Sequence, residues 1–366
     1  MVSKACLVGA YQTKLEAIAQ ADDLDLVVIV PPLWRDPAGD VELELAHTDG
    51  YDLVVDPIRF NGNYHFHYYP TLTKRIRQFR PDILHIDEEP YNLATWLAVR
   101  SARKFGCKSL FFSWQNINHR YPWPFRSMEQ MVLSNVDYAI VGNRDSATVW
   151  REKGYRGNVQ IIPQFGVSTD TCAKFARPRE SETFVIGSAG RRIVWEKGND
   201  LILKAAAGLP GKWLVRIAGE GPERSKLERL AEDLGIKDRV HFDGVIASEQ
   251  MPAHLNQLDT LILASRTLNN WKEQFGRILV EGMACEVPVI GSDSGEIPNV
   301  IGQAGLIFPE DDVLALQRRL MDLMEDSQLR HNLGQAGRQR VLAFYTQERV
   351  AANTVAVYRE MMGLDV

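Results

Sequence analysis

Glu273-Gln-Phe-Gly-Arg-Ile-Leu-Val-Glu281, continued by Gly282-Met-Ala-Cys-Glu-Val-Pro288-Val-Ile-Gly291, organises the reading of this chain. Ile278, Leu279 and Met283 mark an apolar helix, and Val287–Gly291 a short apolar strand directly after it. Two acids eight positions apart flank the helix start, Glu273 just ahead of it and Glu281 two turns in, about 12 Å apart along the axis at the usual rise. The first turn of such a helix leaves backbone N–H groups near Gln274, Phe275 and Gly276 without helical partners, an end that favours phosphate. A carboxylate beside an anion site has to hold something other than phosphate, and polyols suit it. The expected ligand carries hydroxyls at both ends and phosphate in the middle. The competing reading is an ordinary surface helix with scattered acids.

Working outward, apolar runs alternate with helical stretches. In the second half the expected strands are Phe184–Gly187, Trp213–Ala218, Val240–Phe242, Thr260–Ala264, Val287–Gly291 and Leu306–Phe308. In the first half they are Ala5–Val8, Leu26–Val30, Leu53–Val55, Ile83–Ile86, Ser109–Trp114, Tyr138–Val141 and Val159–Ile162, with a helix over Asn92–Phe105. Continuous apolar runs bounded by Pro, Gly and Asp suit buried parallel sheets, so the chain reads as α/β with two doubly wound domains. The stretch 162–178 has turn residues and no period, and is read as the interdomain hinge. The domains are placed at 1–170 and 171–345, with an amphipathic helix at the end (346–366) bracing the first.

At 366 residues, 45% hydrophobic and 24% charged, the chain is globular and long enough for two domains. A net charge of −5 argues against a nucleic-acid binder. Cys6, Cys107, Cys172 and Cys285 are scattered, which suggests free thiols and a reducing, cytoplasmic setting. No apolar run reaches the roughly 20 residues of a membrane span, and Met1–Gly9 reads as a first strand rather than a signal peptide. Thr71–Arg80 forms an amphipathic helix whose Lys74, Arg75 and Arg77 could rest weakly on an anionic membrane, although a core helix with solvated basic residues is the favoured reading. No zinc-type spacing, phosphate loop or Gly-x-Ser-x-Gly turn is present. Oligomeric state is not legible.

Loops at the carboxyl ends of parallel strands bind ligands in such sheets. Gly9, after the first expected strand, is placed to let a ligand near the backbone. His85-Ile-Asp87-Glu88-Glu89-Pro90 and Trp114-Gln-Asn116-Ile-Asn-His119-Arg120-Tyr121 are two polar, aromatic loops suited to a sugar acceptor, though packed structural loops are the alternative. In the second half, Gly187-Ser-Ala-Gly190-Arg-Arg192 runs toward Lys197-Gly198, and Arg192 and Lys197 can converge on a pyrophosphate. After Phe242-Asp-Gly244, the turn with Val245 and Ile246 can offer backbone groups to a nucleobase.

The ordered motifs Gly190-Arg, Arg192, Lys197-Gly198, Gly219-Glu-Gly221-Pro, Phe242-x-Gly244, Ser265, Glu273-x7-Glu281, Pro288-Val-Ile and Gly295-Glu-Ile-Pro298 resemble glycosyltransferase family 4. The resemblance covers 183–345 closely and 1–170 more loosely. It implies a GT-B fold, with two Rossmann-like domains facing each other across a cleft, and retaining transfer of a sugar from a nucleotide sugar to a saccharide, lipid-linked or small-molecule acceptor. It implies that Glu273 holds hydroxyls of the transferred sugar beside backbone groups of Gln274, Phe275 and Gly276, with Gly190 close to the donor. Glu281 would bind the ribose, and Arg192 and Lys197 would neutralise the diphosphate without a metal or other cofactor. Glu88 is the acceptor-side candidate by position, with Asp87, Asn116, His119 and Arg120 around it. This chain departs from the family in having Asn299 after Ile-Pro and Trp114-Gln-Asn116 where a His is common. A nucleotide-sugar epimerase and a non-catalytic nucleotide-sugar-binding scaffold are the rival readings.

Overall fold

The computed structural model describes residues 1–36, 39–174 and 182–364. The chain divides into two compact units, Met1–Gly166 with Gln347–Val366, and Val167–Thr346. Of the stretch 162–178 read as a hinge, residues 175–178 lie outside the described residues.

The first unit contains α1 (Gly9–Ala19), β1 (Val27–Val30), β2 (Leu33–Trp34), β3 (Val41–Glu42), β4 (Asp52–Val55), α2 (Leu72–Phe79) and β5 (Ile83–Ile86). It continues with α3 (Leu93–Phe105), β6 (Lys108–Ser113), α4 (Phe125–Leu133), β7 (Tyr138–Val141), α5 (Arg144–Glu152) and β8 (Asn158–Ile161). β1 pairs in parallel with β4, and β5 to β8 pair in parallel in sequence order. Met1–Ser3 joins the two sets: Val2 bridges both Ile29 and Ile86, with Val2 N–H donating to His85 O at 2.9 Å and Ser3 N–H to Ile29 O at 3.1 Å.

The first strand expected at Ala5–Val8 is therefore corrected. Its pairing role falls to Met1–Ser3, while Ala5–Leu7 makes a 3-10 turn. The ladder stops there because β1 is followed by Pro31 and Pro32, which have no N–H to give. Gly9 consequently opens α1 instead of following a strand, and its N–H donates to Glu44 Oε2 at 2.5 Å. On α2, Leu72 and Ile76 are buried as the spacing requires. Arg75 is drawn inward, with its guanidinium on the buried Asp56 at 2.7 Å, so the cations left exposed on this helix are Lys74 and Arg77.

The second unit has β9 (Phe184–Arg192), α6 (Asn199–Ala207), β10 (Trp213–Glu220), α7 (Arg224–Asp233), β11 (Val240–Gly244), α8 (Met251–Leu255) and β12 (Thr260–Leu263). It ends with α9 (Arg277–Ala284), β13 (Val289–Ser292), α10 (Ile297–Ile301), β14 (Leu306–Phe308), α11 (Val313–Glu325) and α12 (Ser327–Phe344). Its six strands are all parallel in the order β11-β10-β9-β12-β13-β14. The direction of winding reverses between β9 and β12, and the carboxyl ends flanking such a reversal are where open α/β sheets hold ligands. One core packs α6, α7 and α11 on one face, including Ile202, Leu227 and Leu316. A second packs α8, α9 and α10 on the other, including Leu255, Met283 and Ile297.

The last helix, α13 (Gln347–Met362), belongs to the first unit. Val350, Ala351, Val355 and Tyr358 pack in one cluster with Leu15 and Ile18 of α1 and with Tyr138. Among the described residues no helix is long and apolar enough to cross a membrane.

Phe111 on β6 is fully buried against Trp150 (5.5 Å between ring centroids) and Tyr155 (5.8 Å). Phe111→Ala removes that fill and should cost the first unit about 3–5 kcal/mol, read as an earlier denaturant midpoint with unchanged slope for that unit's transition.

Candidate active site

The carboxyl ends of β9 and β12 gather several of the sequence-derived residues. Glu273 is 7% exposed, too buried for a bare carboxylate, and is matched accordingly. Its Oε2 accepts from Lys197 Nζ at 2.7 Å and from Ser265 Oγ at 2.8 Å. Lys197 Nζ also lies 5.1 Å from the centre of the Trp271 ring, a cation–π contact. Behind Glu273, Gly295 (φ +52°) lies so close that a Cβ there would stand 2.1 Å from the Glu273 carbonyl oxygen. That same carbonyl accepts from Glu296 N–H at 3.1 Å.

Lys197 closes a 3-10 turn, Trp195–Lys197, and is followed by Gly198 (φ +63°). A Cβ on Gly198 would sit 2.0 Å from the Ala264 carbonyl oxygen, so only glycine lets this turn lie against the end of β12. Arg192 is the last residue of β9 and is exposed; it makes no ion pair among the described residues. Gly190 on the same strand has open space where a Cβ would go. Val245 and Ile246 follow β11, with Val245 61% exposed.

The helix after Glu273 starts later than its apolar spacing implies. Gly276 takes φ +79° and α9 begins at Arg277. Glu281 therefore stands little more than one turn into the helix, not two, and it accepts from Arg277 Nε at 2.8 Å. Gln274, Phe275 and Gly276 lead into the helix rather than forming its first turn, and Phe275 packs edge-on to Tyr345 at 5.6 Å. The amide cluster expected at 274–276 is thus displaced to the residues that follow Gly276.

The first unit's candidates separate into two places. Asp87 and Glu88 are adjacent in a buried charged network beyond β5. Asp87 accepts from Ser3 Oγ at 2.5 Å and from Gln164 Nε2 at 3.0 Å, and burial raises its pKa despite Lys14 nearby. Burial alone would raise Glu88 too, but its ion pair with Lys4 and the His67 ring nitrogen at 3.3 Å hold it at about 2. Asn116 is buried, whereas His119 and Arg120 are exposed and line a surface cavity of about 300 Å³ with Tyr121, Arg126 and Lys153. Among the described residues, no three His, Cys, Asp or Glu side chains are placed to hold a metal ion.

Sequence reasoning missed Ser265 as a partner of Glu273, Trp271 under Lys197, and the half-buried acid Glu89. Glu89 accepts from Ser113 Oγ at 2.6 Å and from Trp114 N–H at 2.8 Å, yet burial pushes its pKa up to about 7. Ser265 stood in the motif order and at a strand's carboxyl end, but neither signal showed that its hydroxyl meets Glu273.

With this geometry in hand, comparison with known proteins gives the class. The family profile described as Glycosyl transferases group 1 matches residues 173–340, and the one described as Glycosyltransferase Family 4 matches 16–170. The chain belongs to the family 4-like glycosyltransferases of GT-B fold.

Among its relatives is N-acetyl-alpha-D-glucosaminyl L-malate synthase of Bacillus anthracis, 29% identical over 64% of this chain and 59% of that protein. Another is the GDP-mannose-dependent alpha-(1-6)-phosphatidylinositol monomannoside mannosyltransferase of Mycolicibacterium smegmatis, 32% identical over 47% of this chain and 49% of that one. The matched part spans only about half to three-fifths of these relatives. Anabaena Alr3699/HepE, solved with UDP-glucose, shares the fold with a TM-score of 0.69 at 15% identity, over 98% of each chain.

The raised pKa of Glu89 sets a pH test. Its folded form favours the proton, so its contribution to stability is full below the ordinary value of 4.5 and is lost as pH rises through about 7. The stability of wild type relative to Glu89→Gln should fall between pH 4.5 and 7 and level off above, followed by urea denaturation across that range; a flat difference would show that Glu89 titrates normally.

Proposed function

We propose that the chain is a retaining glycosyltransferase that moves a hexose-type sugar from a nucleoside diphosphate sugar to a hydroxyl of a saccharide, lipid-linked or small-molecule acceptor. The observation that carries this reading is the Lys197–Glu273–Ser265 cluster beside the winding reversal of the second unit's sheet. It puts a cation and an acid side by side: a group for phosphate next to a group for hydroxyls. The relatives' names support an activated-sugar donor, and they range from an L-malate to a phosphatidylinositol acceptor, so no single acceptor class is favoured.

In this scheme Lys197 and Arg192 meet the diphosphate and Glu273 takes sugar hydroxyls. Glu281 takes the ribose, and the backbone around Val245 and Ile246 faces the base. Lys197 turns in part from Glu273 to the arriving phosphate, while Ser265 and the sugar hydroxyls keep the Glu273 carboxylate hydrogen-bonded. As the bond from the sugar's anomeric carbon to the phosphate oxygen lengthens, negative charge grows on that oxygen. Fixed cations and helix N–H groups aimed there lower the barrier by several kcal/mol, with no metal required in the scheme. The acceptor oxygen attacks from the same face, and its proton passes to the departing phosphate. In the first unit the acceptor-side candidates are Asp87 and Glu88 in the buried network, Asn116, and His119 and Arg120 at the surface cavity.

Incubation with a panel of nucleotide sugars tests the proposal. Nucleoside diphosphate release stimulated by an acceptor is expected; interconversion of the nucleotide sugar would mean an epimerase, and saturable binding without turnover a scaffold. Lys197→Ala and Glu273→Gln should each lower turnover by roughly 10²–10³-fold with unchanged circular dichroism. Near-wild-type rates in both would remove these residues from the chemistry.

A further inference from the structure

The residue after Ser265 is an arginine that is only 4% exposed, and its backbone and guanidinium both reach the turn that ends in Lys197. Arg266 N–H donates to the Glu196 carbonyl at 2.8 Å, and its Nη1 donates to the Trp195 carbonyl at 3.0 Å. The guanidinium lies 4.0 Å from the centre of the Trp195 ring. Its two terminal nitrogens fork onto Asp200 at 2.8 and 2.9 Å, in the first turn of α6 just beyond the Trp195–Lys197 turn. Its Nε reaches Asp311 at 2.6 Å. The turn's own closing bonds, Lys197 N–H to Val194 O and Gly198 N–H to Trp195 O, both 3.1 Å, are local and do not tie the turn to the sheet. What fixes the turn to the sheet is Arg266 together with the close seat of Gly198 on Ala264.

We infer that Arg266 is a positioning residue that sets the height and direction of Lys197 for contact with the donor's diphosphate. This rests on the donor-site reading of Lys197. Neighbouring Ser265 holds Glu273, the partner of Lys197, so two consecutive residues at the end of β12 fix both members of the ion pair. Lysine cannot substitute at this position. A single ammonium cannot serve both Asp200 oxygens, the Trp195 carbonyl and Asp311 at once, nor stack flat on an indole.

The test is a double-mutant cycle on the full chain, read as the Kd for UDP and GDP by calorimetry. Arg266→Lys should weaken nucleotide binding about tenfold, and the same change in a Lys197→Ala background should weaken it by less than about twofold, because the residue through which it acts is already gone. A merely structural role would lower Tm alike in both backgrounds but leave the Kd penalties multiplicative. An unchanged Kd in folded Arg266→Lys, or multiplicative penalties, overturns the assignment of Arg266 alone. If Arg266→Lys does not fold, Asp311→Asn, which removes the solvent-facing partner of Nε, must show the same loss of penalty in the Lys197→Ala background; multiplicative effects there overturn it equally. Failure of wild type to bind either nucleotide overturns the donor-site reading itself, and the inference with it.

Discussion

A carboxylate taken out of water has to be met by donors or it will not stay ionised, and Glu273 imposes that constraint on the second unit. It recruits Ser265 from the end of β12 and Lys197 from the turn after β9. Its backbone is pressed against Gly295 after β13. Three loops from three strands thus converge on one acid. The glycines at 198 and 295 follow from that convergence, since neither a Cβ against Ala264 nor one against Glu273 has room. Removing one partner of such a matched set leaves the other charge buried and unpaired, which costs more than the pair contributes.

The first unit solves a similar problem differently. Asp87, Glu88 and Glu89 follow β5 in succession; Asp87 and Glu88 are buried and Glu89 is half-buried. Glu88 is compensated by the cation Lys4 and by His67. The hydrogen bonds to Glu89 come from neutral donors, Ser113 and Trp114, with the Lys4 charge a lesser influence. Neighbouring acids in one loop therefore sit in opposite electrostatic conditions, one held ionised and the other close to holding its proton at neutral pH. Groups pushed apart in this way are suited to different tasks in proton transfer.

Much of the fold was legible because parallel sheets buried on both faces write themselves as short apolar runs. Ile83–Ile86, Tyr138–Val141 and Leu306–Phe308 fall where those runs lie. The failures share a cause: pairing that leaves little trace in composition. Met1–Ser3 is too short to show a period, while Cys6-Leu7-Val8 next to it is apolar enough to imitate a strand. β9 runs on to Arg192 through Ser188-Ala-Gly-Arg, which reads as loop, because β10 keeps offering it partners as far as Glu220. The late start of α9 is set by Gly276 at positive φ, a property of one residue's backbone that hydrophobic spacing cannot carry. In the site, Glu273 and Lys197 could be found from residue type and motif order. Their direct ion pair, and the Ser265 hydroxyl on the same carboxylate oxygen, could not, since they join residues that become neighbours only when the sheet forms.

The first unit is discontinuous: its sheet is encoded before residue 166, yet α13 comes 180 residues later, after the whole of the second unit. Until that helix emerges from the ribosome, the faces of Leu15, Ile18 and Tyr138 that it covers stay open to water, and His85 lacks the Tyr358 hydroxyl that it meets at 2.6 Å. At roughly 5–20 residues per second, the wait is on the order of ten seconds or more. The contiguous second unit can close during that interval. The half encoded first is therefore the half completed last, and a nascent chain of this protein carries a sticky apolar face for most of its synthesis.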